Sequence, residues 1–183
     1  MMPELDGFGV LEAMRTDESM RNIPVIVLTG QALTEEDMAR LNQGVAAVLQ
    51  KGIFGVQETM VHVESALARA PRLGSEMQRI VRKAMAYIHR HYAEHFSRQA
   101  MARELGLSER YLTSCFHKEM SITPVEYLNR YRLKQAKALL ATGANVTETA
   151  LAVGFSSVSY FTRLFEKELG ISPGAYRHNH PKR

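Results

Sequence analysis

The chain repeats itself once, and the repeat is helical. Ala102-Arg103-Glu104-Leu105-Gly106-Leu107-Ser108 recurs as Ala150-Leu151-Ala152-Val153-Gly154-Phe155-Ser156, 48 positions on. Tyr111-Leu112-Thr113-Ser114-Cys115-Phe116-His117-Lys118-Glu119 recurs as Tyr160-Phe161-Thr162-Arg163-Leu164-Phe165-Glu166-Lys167-Glu168, now 49 positions on. Ile122-Thr123-Pro124 and Tyr127 return as Ile171-Ser172-Pro173 and Tyr176. The extra residue falls in a turn, where insertions are tolerated.

Each copy reads as a helix-turn-helix. A short helix containing an alanine ends at a glycine, an apolar residue plugs the turn, and a serine can cap a second helix. Gly106 and Gly154 give the turn a permissive backbone, and Ala102 and Ala150 let the two helices cross closely. Leu112 with Phe116, and Phe161 with Phe165, lie four apart on the buried side of each second helix. That leaves Arg110, Thr113 and Ser114 outward in the first copy, and Val158, Ser159, Thr162 and Arg163 outward in the second. Short polar groups beside an arginine suit the major groove of DNA, where base edges are read. Between the copies, Thr123 and Pro124 open a helix expected to run to Ala141, about 18 residues and roughly 27 Å, with Gly143 as its stop.

Charge divides the chain in the same way. Residues 1–70 carry five basic side chains against ten acidic, a net of −5, whereas residues 71–183 carry eighteen against nine, a net of +9. The basic half holds the repeat, as a polyanion-binding module would. A repeated helical hairpin alone would equally suit a solenoid scaffold, so an interaction module without specific DNA binding is the alternative.

The stretch from about Ile80 to Arg177 resembles the AraC/XylS family DNA-binding domain. The second copy carries that family's signature in Ala150, Gly154-Phe155-Ser156, Tyr160-Phe161, Leu164-Phe165, Gly170-Ile171-Ser172-Pro173 and Tyr176-Arg177. The resemblance implies seven helices, two units joined by the helix from Pro124, and double-stranded DNA as partner. The reading helices would enter successive major-groove segments about one turn, roughly 34 Å, apart. The base-reading positions carried over are Arg110, Thr113 and Ser114, then Val158, Ser159, Thr162 and Arg163. Arg163 is the expected principal reader, since a guanidinium binds guanine bidentately. Ser114 is smaller than the residue often found at its place, so the first unit is expected mainly to anchor.

Residues 1–70 have a different grammar. Ile23 to Thr29 reads as a strand covered on both faces, Thr34-Glu35-Glu36-Asp37 opens a helix, Ala46 to Leu49 is a second strand, and Gln57 to Arg69 a further helix. This is the rhythm of a parallel α/β sheet. Met1-Met2-Pro3-Glu4-Leu5-Asp6-Gly7, the strand ending at Thr29, and Lys51 resemble the later half of a response-regulator receiver domain, a flavodoxin-like fold lacking its N-terminal half here. The resemblance makes Thr29 and Lys51 the switch pair that contacts a phosphoryl group. Gly52 stands where that family usually has proline, and Val48 where it has an aromatic switch residue. The phosphoacceptor aspartate and the Mg-binding acids would lie upstream of Met1, so the chain is expected not to accept phosphate, and no cofactor is assigned. The expected domains are 1–70, a linker at 71–77 centred on Pro71 and Gly74, and 78–183.

The whole reads as a transcription regulator forming the output of a two-component phosphorelay, a fragment of a longer response regulator or hybrid sensor kinase. RNA polymerase is a candidate partner, and a histidine kinase would be one in the longer parent. No run approaches the roughly 18 apolar residues of a membrane span, the start has no secretory pattern, and Cys115 is the single cysteine; a cytoplasmic setting is expected. Cys115 is expected to be buried packing. His89, His91 and His95 read as a solvated or phosphate-facing cluster on one helix, without the ligand set a metal requires. No nucleophile motif or phosphate-binding glycine loop supports an enzyme.

Overall fold

The computed structural model describes residues 7–20, 23–42, 45–68 and 76–179. Residues 1–6, on which part of the receiver resemblance falls, and most of the expected linker lie outside them. Among the described residues the chain is mostly helical, with ten helices and a two-stranded sheet.

The first part runs α1 (Gly7–Thr16), β1 (Val25–Thr29), α2 (Glu35–Leu41), β2 (Val45–Gln50) and α3 (Val56–Ala68). α2 starts where Thr34 caps the Asp37 amide while Asp37 returns a bond to the Thr34 amide, a capping box that satisfies two otherwise orphan donors. The strands pair in parallel, Ile26 opposite Ala47 and Thr29 opposite Gln50. β2 is buried along nearly its whole length. β1 is not covered on both faces as its apolar run suggests: its residues are half-buried and Leu28 is 46% exposed. Among the described residues β1 has a single neighbouring strand, so part of its surface stays open.

The second part is helical throughout: α4 (Glu76–His91), α5 (Arg98–Glu104), α6 (Glu109–Met120), α7 (Pro124–Ala141), α8 (Val146–Ala152), α9 (Val158–Leu169) and α10 (Pro173–Asn179). These are seven helices, as the resemblance implies. α7 has the expected bounds because its signals are local: Pro124 occupies the first turn, where its missing amide donor costs nothing, and Thr123 forms a capping box with Glu126.

α4 is buried on most of its circumference, because it packs on α2 on one side and on α6 and α7 on the other. Arg82, 3% exposed, donates from Nη1 to the Leu41 carbonyl (2.7 Å) and Asn42 Oδ1 (3.0 Å), and from Nη2 to the Val45 carbonyl (2.7 Å). Burial lowers its pKa to about 10, so it stays charged at neutral pH. Gln78 Nε2 donates to the Ala46 carbonyl at 2.9 Å. The side chains of α4 thus take the place of backbone partners for the α2–β2 turn. One apolar core runs from Leu11 through β2 and α4 to Tyr131, while a second, from Leu133 to Phe165, belongs to the last helices.

The histidines do not form one solvated cluster. α4 ends at His91, so His95 lies beyond the helix. His89 is buried, its ring stacked 4.5 Å from Tyr131 and its Nε2 3.0 Å from the Tyr127 hydroxyl. His91 pairs with Glu94 at 3.0 Å. Of these three, only His95 is exposed. Cys115 is buried at 1% exposure, as its place opposite the reading face requires.

Candidate nucleic-acid interface

α5 with α6, and α8 with α9, form two helix-turn-helix units built by the same bonds. In the first turn the Leu107 amide donates to the Ala102 carbonyl (2.9 Å) and the Gly106 amide to Arg103 (3.1 Å). In the second, Phe155 donates to Ala150 (2.9 Å) and Gly154 to Leu151 (3.0 Å). Both turn glycines have positive φ, 68° and 91°. Ala102 and Ala150 are buried at the crossings, and Leu107 and Phe155 plug the turns.

The second helix of each unit, α6 and α9, begins at a serine cap. Ser108 Oγ accepts from the Tyr111 amide and Ser157 Oγ from the Tyr160 amide, each at 3.2 Å. The second cap is Ser157 and not Ser156, the homologous position in the repeat. The one-residue insertion lies here, and it moves the cap along by one. Leu112 and Phe116, and Phe161 and Phe165, are buried to within 1%.

These anchors fix which face of each helix points outward, the face expected to read DNA. Arg110 and Ser114 are exposed on α6, with Thr113 half-buried beside them. On α9, Ser159 and Arg163 are exposed, while Thr162 is half-buried and Val158 packs partly against the second core. The Arg163 guanidinium lies 5.8 Å from the Tyr160 ring centroid, within cation–π range, with its head group open to solvent. Each helix therefore presents one arginine among short side chains near its N-terminal half. Such a surface can donate hydrogen bonds to base edges and phosphates.

Residues 101–179 match the family model for a helix-turn-helix domain. The structure resembles that of a transcriptional regulator from Chromobacterium violaceum described as an AraC-type DNA-binding domain protein, at 27% identity and a TM-score of 0.53, over 56% of this chain and 93% of that one. The helical part of this chain is an AraC-type helix-turn-helix domain. It is also similar to the C-terminal domain of AraT, a response regulator from Geobacillus stearothermophilus, at 32% identity and a TM-score of 0.54, over 57% of this chain and 88% of that one. Histidine kinase P4 of Formosa agariphila is 26% identical over 98% of this chain but only 14% of its own length, so that match extends across the α/β segment. The chain spans half the length or less of the curated relatives it matches. AraC-family helix-turn-helix regulators are not enzymes.

In the α/β segment, Thr29 and Lys51 are brought together at the C-terminal ends of the paired strands. The Lys51 amide donates to the Thr29 carbonyl at 2.7 Å, and Thr29 Oγ1 accepts from the Gln31 amide at 3.1 Å. The loops around this pair lie against the AraC-type domain. Tyr127 Oη donates to Gln50 Oε1 (3.3 Å), Arg130 grips Glu58, and Lys134 Nζ donates to the Gly30 carbonyl (2.9 Å). Positions 127, 130 and 134 share one face of α7, a spacing visible in the sequence that nothing local marks as an interface.

Proposed function

We propose that the chain is a sequence-specific DNA-binding transcription regulator and the output of a two-component phosphorelay, with residues 1–70 as the later half of a receiver domain. The observation that carries the DNA-reading part is the duplicated unit. Two reading helices, built by the same turn bonds and the same buried anchors, are joined by one 18-residue helix. That helix is about 27 Å long, compatible with reading heads set one DNA turn apart. Arg110, Thr113, Ser114, Val158, Ser159, Thr162 and Arg163 make the base-side contacts, Arg163 foremost.

The phosphorelay part is supported by the strand-end pair Thr29 and Lys51, by the match to a histidine kinase across the α/β segment, and by AraT being a response regulator. A receiver holds its metal among acidic side chains, and the described residues bring no group of three His, Cys, Asp or Glu together. The protein acts in the cytoplasm, with RNA polymerase as a candidate partner and a histidine kinase as partner of the longer parent.

Titration with duplex DNA across a salt series tests the reading. Affinity should fall steeply as salt rises, because phosphate contacts release counterions. On the selected site Arg163→Ala should lose about 1–3 kcal/mol, with a much smaller loss on random DNA. A flat salt response would favour the protein-interaction module instead.

A further inference from the structure

The two reading units do not share a core. Along α7, residues up to Tyr131 belong to the cluster under the first unit, and residues from Leu133 belong to the cluster under the second. Arg132 is the residue between. It is 8% exposed, and its Nε donates to the Tyr92 carbonyl at 2.7 Å and its Nη2 to the Glu94 carbonyl at 2.9 Å. Those carbonyls lie just past the end of α4, ahead of the first unit. The same guanidinium lies 5.4 Å from the ring centroid of Phe155, the plug of the second unit's turn.

The backbone closes the joint from the other side. A Cβ on Gly154 would stand 2.6 Å from the Tyr92 carbonyl oxygen, 2.8 Å from Arg132 Nη2 and 2.9 Å from the Ala93 carbonyl oxygen. Only glycine allows the turn of the second unit to seat here, and its φ of 91° adds a second reason. Tyr92 packs against both cores. Two further ties hold α9 to α7: Asn129 Nδ2 donates to Tyr160 Oη at 3.2 Å near the start of α9, and Arg130 Nε lies 3.9 Å from Glu168 Oε2 near its end.

We propose that the Arg132–Gly154 joint fixes the separation and twist between α6 and α9, and thereby makes the protein specific for one spacing between two DNA half-sites. This rests on the DNA-reading function above. Arg132 is a positioning residue, which acts through the second unit and touches no DNA. A buried guanidinium held by two carbonyls and wedged against a glycine has no room to slide. Each base pair added between half-sites moves them by about 3.4 Å and turns them by about 34–36°. A rigid pair of heads must then abandon one half-site, whereas a hinged pair can follow.

The test uses the full chain in two measurements. Selection from random duplexes is run on the wild type and on Arg132→Lys, which keeps the charge but cannot satisfy both carbonyls in the same geometry. The wild type should recover two sequence blocks at one spacing, and one base pair inserted between them should cost at least about tenfold in affinity, or roughly 1.4 kcal/mol. Arg132→Lys should recover the same blocks at several spacings, with less than about a threefold penalty for the insertion. A folded variant that keeps the wild-type penalty overturns the proposal. Failure of the wild type to select any sequence sinks the DNA reading instead.

The second measurement needs no DNA. Spin labels on cysteines placed at the exposed Lys118 and Lys167 report the distance between the ends of α6 and α9, while buried Cys115 stays unlabelled. A single narrow distance that broadens in Arg132→Lys supports the joint, and an unchanged distribution refutes it. If Arg132→Lys does not fold, Asn129→Ala takes its place: it removes the bond from α7 to the start of α9 without disturbing a buried charge. It is read by the same two criteria.

Discussion

Arg130 and Glu58 stand 72 positions apart and meet through a forked contact: Nη1 reaches both carboxylate oxygens and Nη2 reaches Oε1, each at 3.0 Å. Glu58 opens α3 in the α/β segment, and Arg130 lies on the helix that joins the two reading units. Burial acts to raise the Glu58 pKa, but the Arg130 hydrogen bonds and the Gly55 amide outweigh it, so the carboxyl sits below its usual range. The pair's contribution is therefore present at neutral pH and is lost as acid protonates the carboxylate. The Glu58 side chain is 44% exposed, so solvent screens much of the attraction. Glu58→Gln should cost only about 1 kcal/mol, and a double-mutant cycle with Arg130→Ala should assign most of that to the pair. Additive losses in urea unfolding would show that the two residues act independently.

Arg82 should matter more. Removing it leaves the Leu41 and Val45 carbonyls buried without their donor, and unsatisfied buried groups are expensive. Arg82→Ala should lose on the order of 3 kcal/mol and lower Tm by roughly 6–12 °C. Thermal melting by circular dichroism measures this, and a shift of a degree or two would mean the α2–β2 turn finds other partners.

His89 gives the stability a pH dependence. Burial, with Lys134 nearby adding to it, lowers its pKa from 6.5 to about 4. Between those values the unfolded chain binds the proton and the folded chain does not. The contribution is therefore complete above pH 6.5 and falls away as pH drops towards 4, by up to roughly 3 kcal/mol in all. Unfolding free energies over that range should slope upward with pH in the wild type and more weakly in His89→Phe. Parallel slopes would remove His89 as the cause.

The two units end differently. α9 stops at Gly170 with φ 73°, the left-handed conformation glycine adopts freely, whereas α6 stops at Ser121 with φ 57°. Serine there bears the clash that L residues meet in this region. Ser121→Gly should raise stability by about 1 kcal/mol, visible as a higher urea midpoint at unchanged slope. A lower midpoint would show that the serine side chain contributes more than its backbone costs.

How far the sequence reaches is clearest on α7. Its start, its end and its length follow from Thr123, Pro124, Glu126 and Gly143, all of which act within a few residues of themselves. The exposed faces of α6 and α9 were legible for the same reason: Leu112 with Phe116, and Phe161 with Phe165, bury one side of a helix and leave Arg110 and Arg163 on the other. The alternation of strands and helices in residues 7–68 also follows from local pattern, and its strand pair is parallel as that rhythm implies.

What the pattern does not hold is which surfaces meet. The apolar run of β1 suggests two covered faces, but coverage depends on neighbours, and β1 has one strand beside it among the described residues. His89 looks like its exposed neighbour His95 in the sequence, yet the turn of α4 aims it between Tyr127 and Tyr131. Arg82, Arg130 and Arg132 lie among ordinary helical charges, and their hydrogen-bond partners stand between 37 and 77 positions away. The sequence by itself determined the helices, their caps and which sides of α6 and α9 face outward, because those depend on interactions within a turn or two. Tertiary structure alone decided which arginines stay buried and how the two reading units are held, because those depend on carbonyls that only the folded chain brings within reach.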